Sequence, residues 1–223
     1  MTLAVEGATK TYTFLRRASQ LRRSDFSSNI GRASLPEGRR TERSTTSRAT
    51  VLGLGFPFDA IEEVWWGDGG TSPGRSLLAA SGDPARSVTF DAVENVVVPR
   101  QERGGQVKLV IGLRRRPDVD TSTFSEHWAT THRDVVLGQE RFARFLRGYV
   151  QNHTVPGTAR YLDGRPVPEH VQYDGVIEQW FDSVLDAARA YGSCGYLKHV
   201  RDDESNFINA RRAQVTFMSE VPR

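Results

Sequence analysis

The clearest hydrophobic pattern in the chain changes from the period of a strand to the period of a helix. Residues 107–114 are mostly apolar and predict a strand. The next apolar residues recur every three or four positions and predict a helix over residues 122–136, with Asp120 or Thr121 as its cap. The apolar stripe of this helix consists of Phe124, Trp128, Thr131 and Val135.

The rest of the C-terminal half continues the same alternation of strand and helix patterns. Three further runs with strand periodicity follow, at residues 146–155, 175–180 and 213–219. A second helical run covers residues 183–191, where Ser183 and Asp186 have the spacing of a helix cap. An irregular segment with Pro and Gly covers residues 157–168. The predicted order of elements is therefore β-α-β-β-α-β.

A weaker copy of the same pattern opens the chain. The motif Leu-Arg-Arg that begins at Leu15 recurs at Leu113, 98 residues later, and in both places a Phe follows at the same distance. The segment FDAIEEVWW, which begins at Phe58, matches YDGVIEQWF, which begins at Tyr173, 115 residues later. Because the two matches occur in the same order along the chain, they predict a duplication.

The duplication divides the chain into two predicted domains, with the boundary at the polar residues 101–105. Residues 1–100 form the weaker copy, and residues 106–223 form the copy with the stronger motifs. Within the first copy, residues 31–48 are rich in Arg, Ser and Thr. We expect this segment to be a basic loop that is in part disordered.

Composition narrows the functional classes. The chain has 223 residues, of which 38% are hydrophobic and 26% charged, as in globular proteins with a buried core. No stretch approaches the ~20 apolar residues that span a bilayer, so no membrane partner is expected. The net charge is only +3 and no aromatic residues interleave with the basic run, which argues against nucleic acid binding. The single cysteine, Cys194, excludes an internal disulfide and favours a cytoplasmic location.

Candidate chemistry is concentrated on the second predicted strand of the C-terminal half. Side chains alternate along a strand, so Tyr149, Gln151 and His153 share one face. This face either lies in solvent or faces the helix layer, where Trp128 and His132 would close a pocket around it. An imidazole exchanges protons near neutral pH and a phenol donates to a developing oxyanion, so these residues suit acid–base chemistry on a carbonyl compound.

The remaining polar groups of this half leave narrower choices. On an α-helix, His127 and His132 are five residues and about 140° apart, so they would not bind one metal ion together. No other metal-binding spacing occurs in the sequence, so no metal is expected. Glu178 lies between apolar neighbours on the third strand, and it either orients an imidazole or pairs with Arg114 or Arg147.

Five motifs follow one another over nearly all of residues 107–221. They are Leu113-Arg114-Arg115-Arg116-Pro117, Phe124-Ser125-Glu126-His127-Trp128 with His132, Tyr149-Val150-Gln151-Asn152-His153, Tyr173-Asp174-Gly175-Val176-Ile177-Glu178 with Trp180-Phe181, and Asp203-Glu204-Ser205-Asn206-Phe207. In content and order they resemble the EthD-like family of the dimeric α/β-barrel superfamily, whose members have ferredoxin-like folds. The first copy is a degenerate partner, because the family's His, Trp and His are replaced by Asn29, Ile30 and Ser34.

The resemblance implies a fold and a range of activities. The implied fold is α+β, with two ferredoxin-like β-α-β-β-α-β repeats that pack sheet to sheet as an α/β barrel within one chain. The implied activities include those of polyketide dehydratases and cyclases, of cofactor-free monooxygenases and of an accessory protein of ether degradation. Fold kinship alone does not select among them.

We expect a cofactor-independent lyase, a dehydratase or cyclase, that acts on a small polyketide-like or aromatic carbonyl compound. A non-catalytic binding or accessory protein and a cofactor-free monooxygenase stay open as alternatives, and so does a homodimer. The sequence has no phosphate-binding glycine loop, so no cofactor is expected.

The expected site lies in the C-terminal half. Three residues are expected to be catalytic, namely His153, His132 and Tyr149. The two histidines exchange protons with the substrate in this hypothesis, while the tyrosine holds the substrate oxygen. Five residues are expected to bind the substrate, namely His127, Trp128, Gln151, Glu178 and Trp180.

Overall fold

The computed structural model of the protein describes residues 7–32, 40–46, 56–66, 79–102 and 104–221. The chain divides into two compact units. We call them the N-terminal unit, which comprises Ala8–Val93, Thr154–Gln172 and the chain from Met218, and the C-terminal unit, which comprises Glu94–His153 and Tyr173–Phe217. The sequence-based division at residues 101–105 stays a prediction.

The N-terminal unit is built on β1 (Thr9–Leu15), α1 (Arg23–Arg32), β2 (Thr41–Thr46), β3 (Ala60–Trp65) and the first part of β4 (Val88–Val98). The strand order is β4-β1-β3-β2, and each neighbouring pair is antiparallel. Phe26 and Ile30 of α1 pack on Leu15 and Ala60, so the helix covers one face of this sheet.

Part of the predicted basic loop is a strand. Residues 41–46 form β2, so the expectation of a disordered loop is wrong for them. Arg43 is buried there because its Nε lies 3.2 Å from the Oε1 atom of Glu62 on β3, which neutralises its charge. The other ends of the predicted loop, residues 33–39 and 47–48, lie outside the described residues.

The C-terminal unit contains most of four main strands, and a two-residue strand of the N-terminal unit, β7 (Arg160–Tyr161), interrupts them in the chain. The four are β5 (Val107–Leu113), β6 (Gly148–Thr154), β8 (Gly175–Phe181) and β9 (Gln214–Glu220), in the order β9-β5-β8-β6. Both β5 and β6 are antiparallel to β8. Each predicted strand of this half is therefore present, with ends shifted by one or two residues.

The helices of the C-terminal unit are short and twice change their winding. After β5 come α2 (Thr121–His127), a π-helical turn (Trp128–His132), α3 (Arg133–Leu137) and α4 (Glu140–Ala143). After β8 come α5 (Val184–Tyr191), a second π-helical turn (Tyr196–Val200) and α6 (Arg201–Phe207). The predicted caps are confirmed, because Asp120 accepts from Thr123 N at 2.9 Å and Ser183 accepts from Asp186 N at 3.1 Å.

Strand alternation gives this sheet two different buried faces. The helix-facing side chains form the main core together with Phe124, Trp128 and Phe142, and they include Leu109, Ile111, Tyr149, Ile177 and Phe181. The opposite face is also buried and carries Lys108, Val110, Asn152, Glu178 and Trp180. Any site on this sheet is therefore tied to one face or the other.

The α+β class predicted from the sequence is confirmed. The finer expectation, two ferredoxin-like repeats that form an intramolecular barrel, stays a prediction. None of the described helices has both the length and the apolar character needed to cross a membrane.

Candidate active site

The polar strand β6 turns Tyr149, Gln151 and His153 towards the helices. Ile177, the β8 partner of Gln151, belongs to the same core as Tyr149 and Trp128, which fixes the direction of this face. Tyr149 and Gln151 have no exposed surface, and His153 is 1% exposed. The alternative in which this face of the strand lies in solvent is therefore excluded.

His153 is held in dry surroundings by α2 and the turn that follows it. Its Nδ1 lies 2.8 Å from the Oγ atom of Ser125, and its ring packs on Trp128 with 4.4 Å between the centroids. Burial lowers the pKa of His153 from 6.5 to about 3, so the ring is neutral at neutral pH. Within the described part of the chain, no hydrogen-bond partner reaches Nε2. Nε2 is therefore the atom of this ring that has capacity for a further hydrogen bond.

Trp128 reaches His153 because residue 175 is a glycine. A Cβ atom at Gly175 would overlap the ring of Trp128. The carbonyl oxygen of Trp128 accepts a hydrogen bond from Nε2 of Gln151 at 2.8 Å, which ties the helix to β6. The indole Nε1 is buried, with no partner of hydrogen-bonding geometry among the residues described.

Tyr149 belongs to a hydrogen-bonded chain along β6. Gln151 Nε2 also donates to the Tyr149 hydroxyl at 3.0 Å, and Gln151 Oε1 accepts from Asn95 Nδ2 at 2.8 Å. Burial raises the pKa of the Tyr149 phenol, and the dipoles of Gln151 and Trp128 only partly offset this. Tyr149 therefore remains a phenol, which can donate a hydrogen bond to an oxyanion.

A π-helical turn, Trp128–His132, reshapes the helix that carries the other two histidines. The hydroxyl of Thr130 donates to the carbonyl of Glu126 at 2.7 Å. In a regular α-helix this carbonyl would pair with the amide of Thr130, so the side chain competes with the backbone ladder. Single π turns of this kind occur frequently at functional sites.

The wider turn directs both histidines to one carboxylate, Asp203 of α6. Nε2 of His127 lies 2.9 Å from Oδ1, and Nδ1 of His132 lies 2.7 Å from Oδ2. The predicted separation of about 140° assumed α-helical winding, and the π-helical turn instead brings both rings to the same carboxylate. Among the described residues, no group of three or more His, Cys, Asp or Glu side chains is arranged to hold a metal ion.

Asp203 stays ionised in this position. Burial alone would raise its pKa, but the hydrogen bonds from His132 and His127 outweigh burial and lower the pKa below its usual value. The carboxylate holds the proton of His132 on Nδ1 and leaves Nε2 as the basic atom. The side chain of His132 is 2% exposed and that of His127 is 27% exposed, so one ring is inside and the other reaches the surface.

Contacts between aromatic rings link the surroundings of His132 to those of His153. Phe207 packs on His132 and on Phe124, with 5.1 and 5.6 Å between the centroids. Phe124 packs in turn on Trp128 at 5.5 Å. No hydrogen bond joins His132 to His153 in the part of the chain that the structure describes. The two predicted catalytic histidines thus stand at two ends of one aromatic cluster.

Glu178 and Trp180 lie on the opposite face of the sheet, so they do not join the other predicted site residues. In the β6–β8 register they pair with Val150 and Gly148, one residue out of phase with His153. Glu178 lies 2.5 Å from Nζ of Lys108 on β5. The predicted partners are engaged elsewhere, since Arg147 pairs with Asp182 at 2.7 Å and Arg114 donates to the carbonyl of Arg212 at 2.7 Å.

Sequence reasoning missed two partners of the site. Asp203 lies 71 residues from His132, and only its place in the last family motif could have pointed to it. Ser125 stands beside the predicted stripe residue Phe124, and its contact with His153 follows from the fold alone. Strand alternation predicts which residues of one strand share a face. It does not relate the faces of two strands, so the separation of Glu178 from His153 became clear only from the β6–β8 register.

Comparisons with known proteins identify one segment and one fold. Residues 116–211 match the family model of the EthD domain. No curated protein matches the chain.

Three solved structures illustrate the likeness. A protein described as a candidate monooxygenase from Lactobacillus acidophilus is 11% identical with a TM-score of 0.54, over 97% of this chain and 95% of that chain. An anthrone oxidase-like protein is 9% identical with a TM-score of 0.55, over 100% and 94%. A mutant chlorite dismutase from Candidatus Nitrospira defluvii is 10% identical with a TM-score of 0.50, over 97% and 93%. At such identities the likeness shows the fold alone.

Proposed function

We propose that the protein is a cofactor-independent lyase, a dehydratase or cyclase, of a polyketide-like or aromatic carbonyl compound, because residues 116–211 match the family model of the EthD domain. The observation that carries the proposal is the state of His153. Its ring is neutral, buried and fixed at Nδ1 by Ser125, while Nε2 has no partner among the described residues. A fixed neutral donor of this kind can stabilise the oxygen of an enolate as it forms.

In this proposal His153 and Tyr149 bind the substrate oxygen. If Ser125 donates to Nδ1, the proton of His153 lies on Nε2 and can be donated to a carbonyl oxygen. Burial keeps both side chains in their neutral, donating forms, because it lowers the pKa of His153 and raises that of Tyr149. This role replaces the proton exchange expected of His153, since an imidazole with a pKa of about 3 is a weak base at neutral pH.

His132 is the proposed base. Its hydrogen bond to the ionised Asp203 orients the ring and supports the imidazolium that forms when Nε2 takes a proton from carbon. Trp128 and Phe124 provide the flat apolar contacts that suit an aromatic substrate. No metal or nucleotide takes part in this chemistry.

The proposal can be tested with two related ketones. α-Tetralone reports proton removal alone, through deuterium exchange next to its carbonyl in D₂O, measured by NMR. Its β-hydroxy derivative loses water to give a naphthol, whose fluorescence reports the complete reaction. We expect the protein to catalyse both, and we expect His132→Ala and His153→Ala to lower both rates by on the order of 100-fold or more.

Retention of the fold must be checked by circular dichroism, and Cys194→Ser is a suitable control because this exposed side chain lies outside the site. Turnover that survives in both histidine variants would remove the assignment. Binding of the ketones without exchange or dehydration would favour the non-catalytic binding protein.

A second candidate is a cofactor-free monooxygenase. It is favoured by the names of two structures with this fold, the candidate monooxygenase and the anthrone oxidase-like protein. It predicts consumption of dissolved oxygen when the protein meets an anthrone, and an oxygen electrode measures this directly. The lyase predicts naphthol formation at an unchanged oxygen level.

We further propose that the two units are copies of one ancestral domain, of which only the C-terminal copy keeps the site. The strand orders β4-β1-β3-β2 and β9-β5-β8-β6 support this, because each places the strands fourth, first, third and second along its half of the chain. EthD-family proteins are typically dimeric, and light scattering would establish whether this chain forms a homodimer as well.

A further inference from the structure

The indole N–H of Trp128 is a hydrogen-bond donor that has no role in the proposed reaction so far. The side chain has no exposed surface, yet Nε1 finds no partner of hydrogen-bonding geometry in the described part of the chain. A buried indole N–H usually has a partner, and because this group can only donate, the partner must be an acceptor. Nε1 therefore has capacity for one hydrogen bond to an acceptor atom.

Trp128 lies beside both groups that are proposed to bind the substrate oxygen. Its ring packs on His153 with 4.4 Å between the centroids. Its carbonyl oxygen accepts from Nε2 of Gln151 at 2.8 Å, and the same amide nitrogen donates to the hydroxyl of Tyr149 at 3.0 Å. Trp128 is thus in direct contact with His153 and is linked to Tyr149 through one shared amide group.

The contact with β8 fixes the orientation of the indole. The ring atoms nearest to Gly175 are Cζ3, Cη2 and Cε3, on the edge of the indole remote from Nε1, so Nε1 is directed away from Gly175. Burial raises the pKa of Tyr149, and the side chains of Gln151 and Trp128 oppose this rise. Because Nε1 is the one polar atom of the Trp128 side chain, its N–H is directed towards the end of the β6 face that carries the Tyr149 hydroxyl.

The Tyr149 hydroxyl also has a proton to donate. Asn95 Nδ2 donates to Oε1 of Gln151 at 2.8 Å, which leaves Nε2 of Gln151 to donate to the hydroxyl oxygen. Within the described ranges of the chain, the hydroxyl in turn donates to no residue. Trp128 and Tyr149 thus provide two buried donors without an acceptor among these residues. Two neutral donors of this kind suit an oxygen atom on which negative charge develops.

We propose that Trp128 is a further catalytic residue of this site, whose indole N–H donates a hydrogen bond to the substrate oxygen as the enolate forms. The inference rests on the proposed lyase function and adds a donor to it. Nε2 of His132 takes the proton from the carbon next to the carbonyl. The C–H electron pair forms the new C=C bond, and the π pair of the carbonyl moves to the oxygen. The N–H bond of Trp128 stays intact, because the indole stabilises this charge without transferring a proton.

NMR of the indole N–H groups tests this contact without turnover. The chain has four tryptophans, and the Nε1–H signal that is lost in Trp128→Phe is that of Trp128. 1-Naphthol, which carries its oxygen where the enol of α-tetralone does, is the probe, and naphthalene is the matched control without the oxygen. We expect 1-naphthol to move the Trp128 signal to lower field than naphthalene does, and the signal of Trp180 on the opposite face of the sheet to stay in place. Equal positions with the two bound ligands would overturn the proposal.

Binding constants separate the N–H from the packing of the ring. Trp128→Phe keeps an aromatic ring beside His153 and Phe124 but has no donor. We expect the variant to lose most of the preference of the wild-type protein for 1-naphthol over naphthalene, as measured by isothermal titration calorimetry. Equal weakening of both ligands would show that the indole acts by packing alone and would overturn the proposal.

Deuterium exchange of α-tetralone connects the donor to the reaction. In Trp128→Phe we expect kcat for exchange to fall by on the order of 100-fold, as for the loss of one donor to an oxyanion. A kcat that is unchanged while the wild-type protein exchanges the ketone would reject Trp128 as a catalytic residue. The expected NMR shift together with no exchange or dehydration by the wild-type protein would instead reject the proposed lyase and leave Trp128 as a donor to a bound ligand.

Discussion

The second strand of the N-terminal unit carries an arginine in an ion pair, Arg43, where the second strand of the C-terminal unit carries an amide side chain, Gln151. Arg43 of β2 pairs with Glu62 of β3 and donates to the carbonyl of Ile30 at 3.4 Å. In the C-terminal unit, Gln151 of β6 donates to the carbonyl of Trp128 at 2.8 Å. Ile30 and Trp128 are 98 residues apart, the same offset as the Leu-Arg-Arg motifs. The link from strand to helix is thus common to both units, and only its surroundings differ.

The register makes the correspondence specific. Arg43 lies opposite Glu62, and Gln151 lies opposite Ile177, where 115 residues again separate the two third-strand positions. Two residues further along the second strand, the N-terminal unit has Thr45 and the C-terminal unit has His153. At this position of the N-terminal unit, Arg43 and Glu62 satisfy each other as an ion pair. The C-terminal unit instead carries a neutral imidazole close by, for whose Nε2 the described residues supply no hydrogen bond.

Features shared by both units point to structure instead of function. Lys10 pairs with Glu63 at 2.7 Å, and Lys108 pairs with Glu178 at 2.5 Å, each on the face away from the unit's helices. Each lysine also lies over a tryptophan of the third strand, Trp65 or Trp180. The N-terminal unit keeps this arrangement although it lacks the histidines, so we infer a structural role for Glu178 and Trp180. The residues that distinguish the candidate site are those that only the C-terminal unit has, such as His132 and His153.

The largest expected effect comes from replacing the Arg43–Glu62 pair of the N-terminal unit, one residue at a time, by the Gln–Ile pair of the C-terminal unit. Arg43→Gln leaves Glu62 buried without its neighbouring cation, which should cost about 3–5 kcal/mol in free energy of unfolding. The double variant Arg43→Gln/Glu62→Ile reproduces the Gln151–Ile177 pair and should recover most of that loss. Urea denaturation followed by circular dichroism measures both. If the double variant is no more stable than the single one, the correspondence between the two pairs is wrong.

A second effect should be confined to the C-terminal unit and to acid pH. The unfolded chain protonates His153 below pH 6.5, whereas the folded protein does so only near pH 3, so the unfolded state binds more protons between these values. Stability should fall as pH decreases through this window, with a slope that approaches about 1.4 kcal/mol per pH unit.

The control for this slope is His153→Thr, which introduces the residue found at the equivalent Thr45. The difference in unfolding free energy between wild type and variant isolates His153 from the other titrating groups. We expect that difference to shrink as pH falls from 6.5 towards 3. A difference that is constant with pH would show that the ring titrates alike in the folded and unfolded states, which contradicts the lowered pKa.

Short-range sequence patterns predicted most of the strands and helices. Strand alternation and helical spacing predicted every main strand of the C-terminal unit, and the caps at Asp120 and Ser183 followed from side-chain chemistry alone. Those signals act over a few residues, so they survive in a single sequence. The basic composition of residues 31–48 misled the prediction, because the neutralising Glu62 lies on another strand.

The candidate site was harder to predict because its contacts join distant segments. The sequence correctly predicted that Tyr149, Gln151 and His153 share one face of β6, because strand alternation alone defines that face. The π-helical turn was not, because a shift from α to π winding leaves the sequence pattern nearly unchanged and yet moves His127 and His132 to one side. The partner Asp203 and the Lys108–Glu178 pair depend on how strands and helices pack, which periodicity does not encode.

A third expected effect concerns the glycine that admits Trp128. Gly175→Ala should cost about 1–3 kcal/mol in unfolding free energy, because the new Cβ overlaps the indole ring. The N-terminal unit has Ala60 at the equivalent position, where the smaller Ile30 replaces the tryptophan. Trp128→Ile should therefore reduce the penalty of Gly175→Ala in a double-mutant cycle. Additive losses would mean that the two residues do not conflict.

The smallest expected effect distinguishes the two aspartates that immediately precede the third strand of each unit. Asp174 accepts from the amide of Arg115 at 2.9 Å and pairs with its guanidinium at 2.6 Å. Asp59 accepts from the amide of Arg17 at 2.9 Å, but its cation, Arg16, is 3.8 Å away. In Asp→Asn variants the amide oxygen can still accept the backbone hydrogen bond, so the variants differ only in the lost ion pair. We expect Asp174→Asn to cost up to about 1 kcal/mol and Asp59→Asn less, with both losses reduced at high salt. Urea denaturation at two salt concentrations measures this, and an equal or larger loss at Asp59 would place the stronger ion pair in the unit that lacks the histidines.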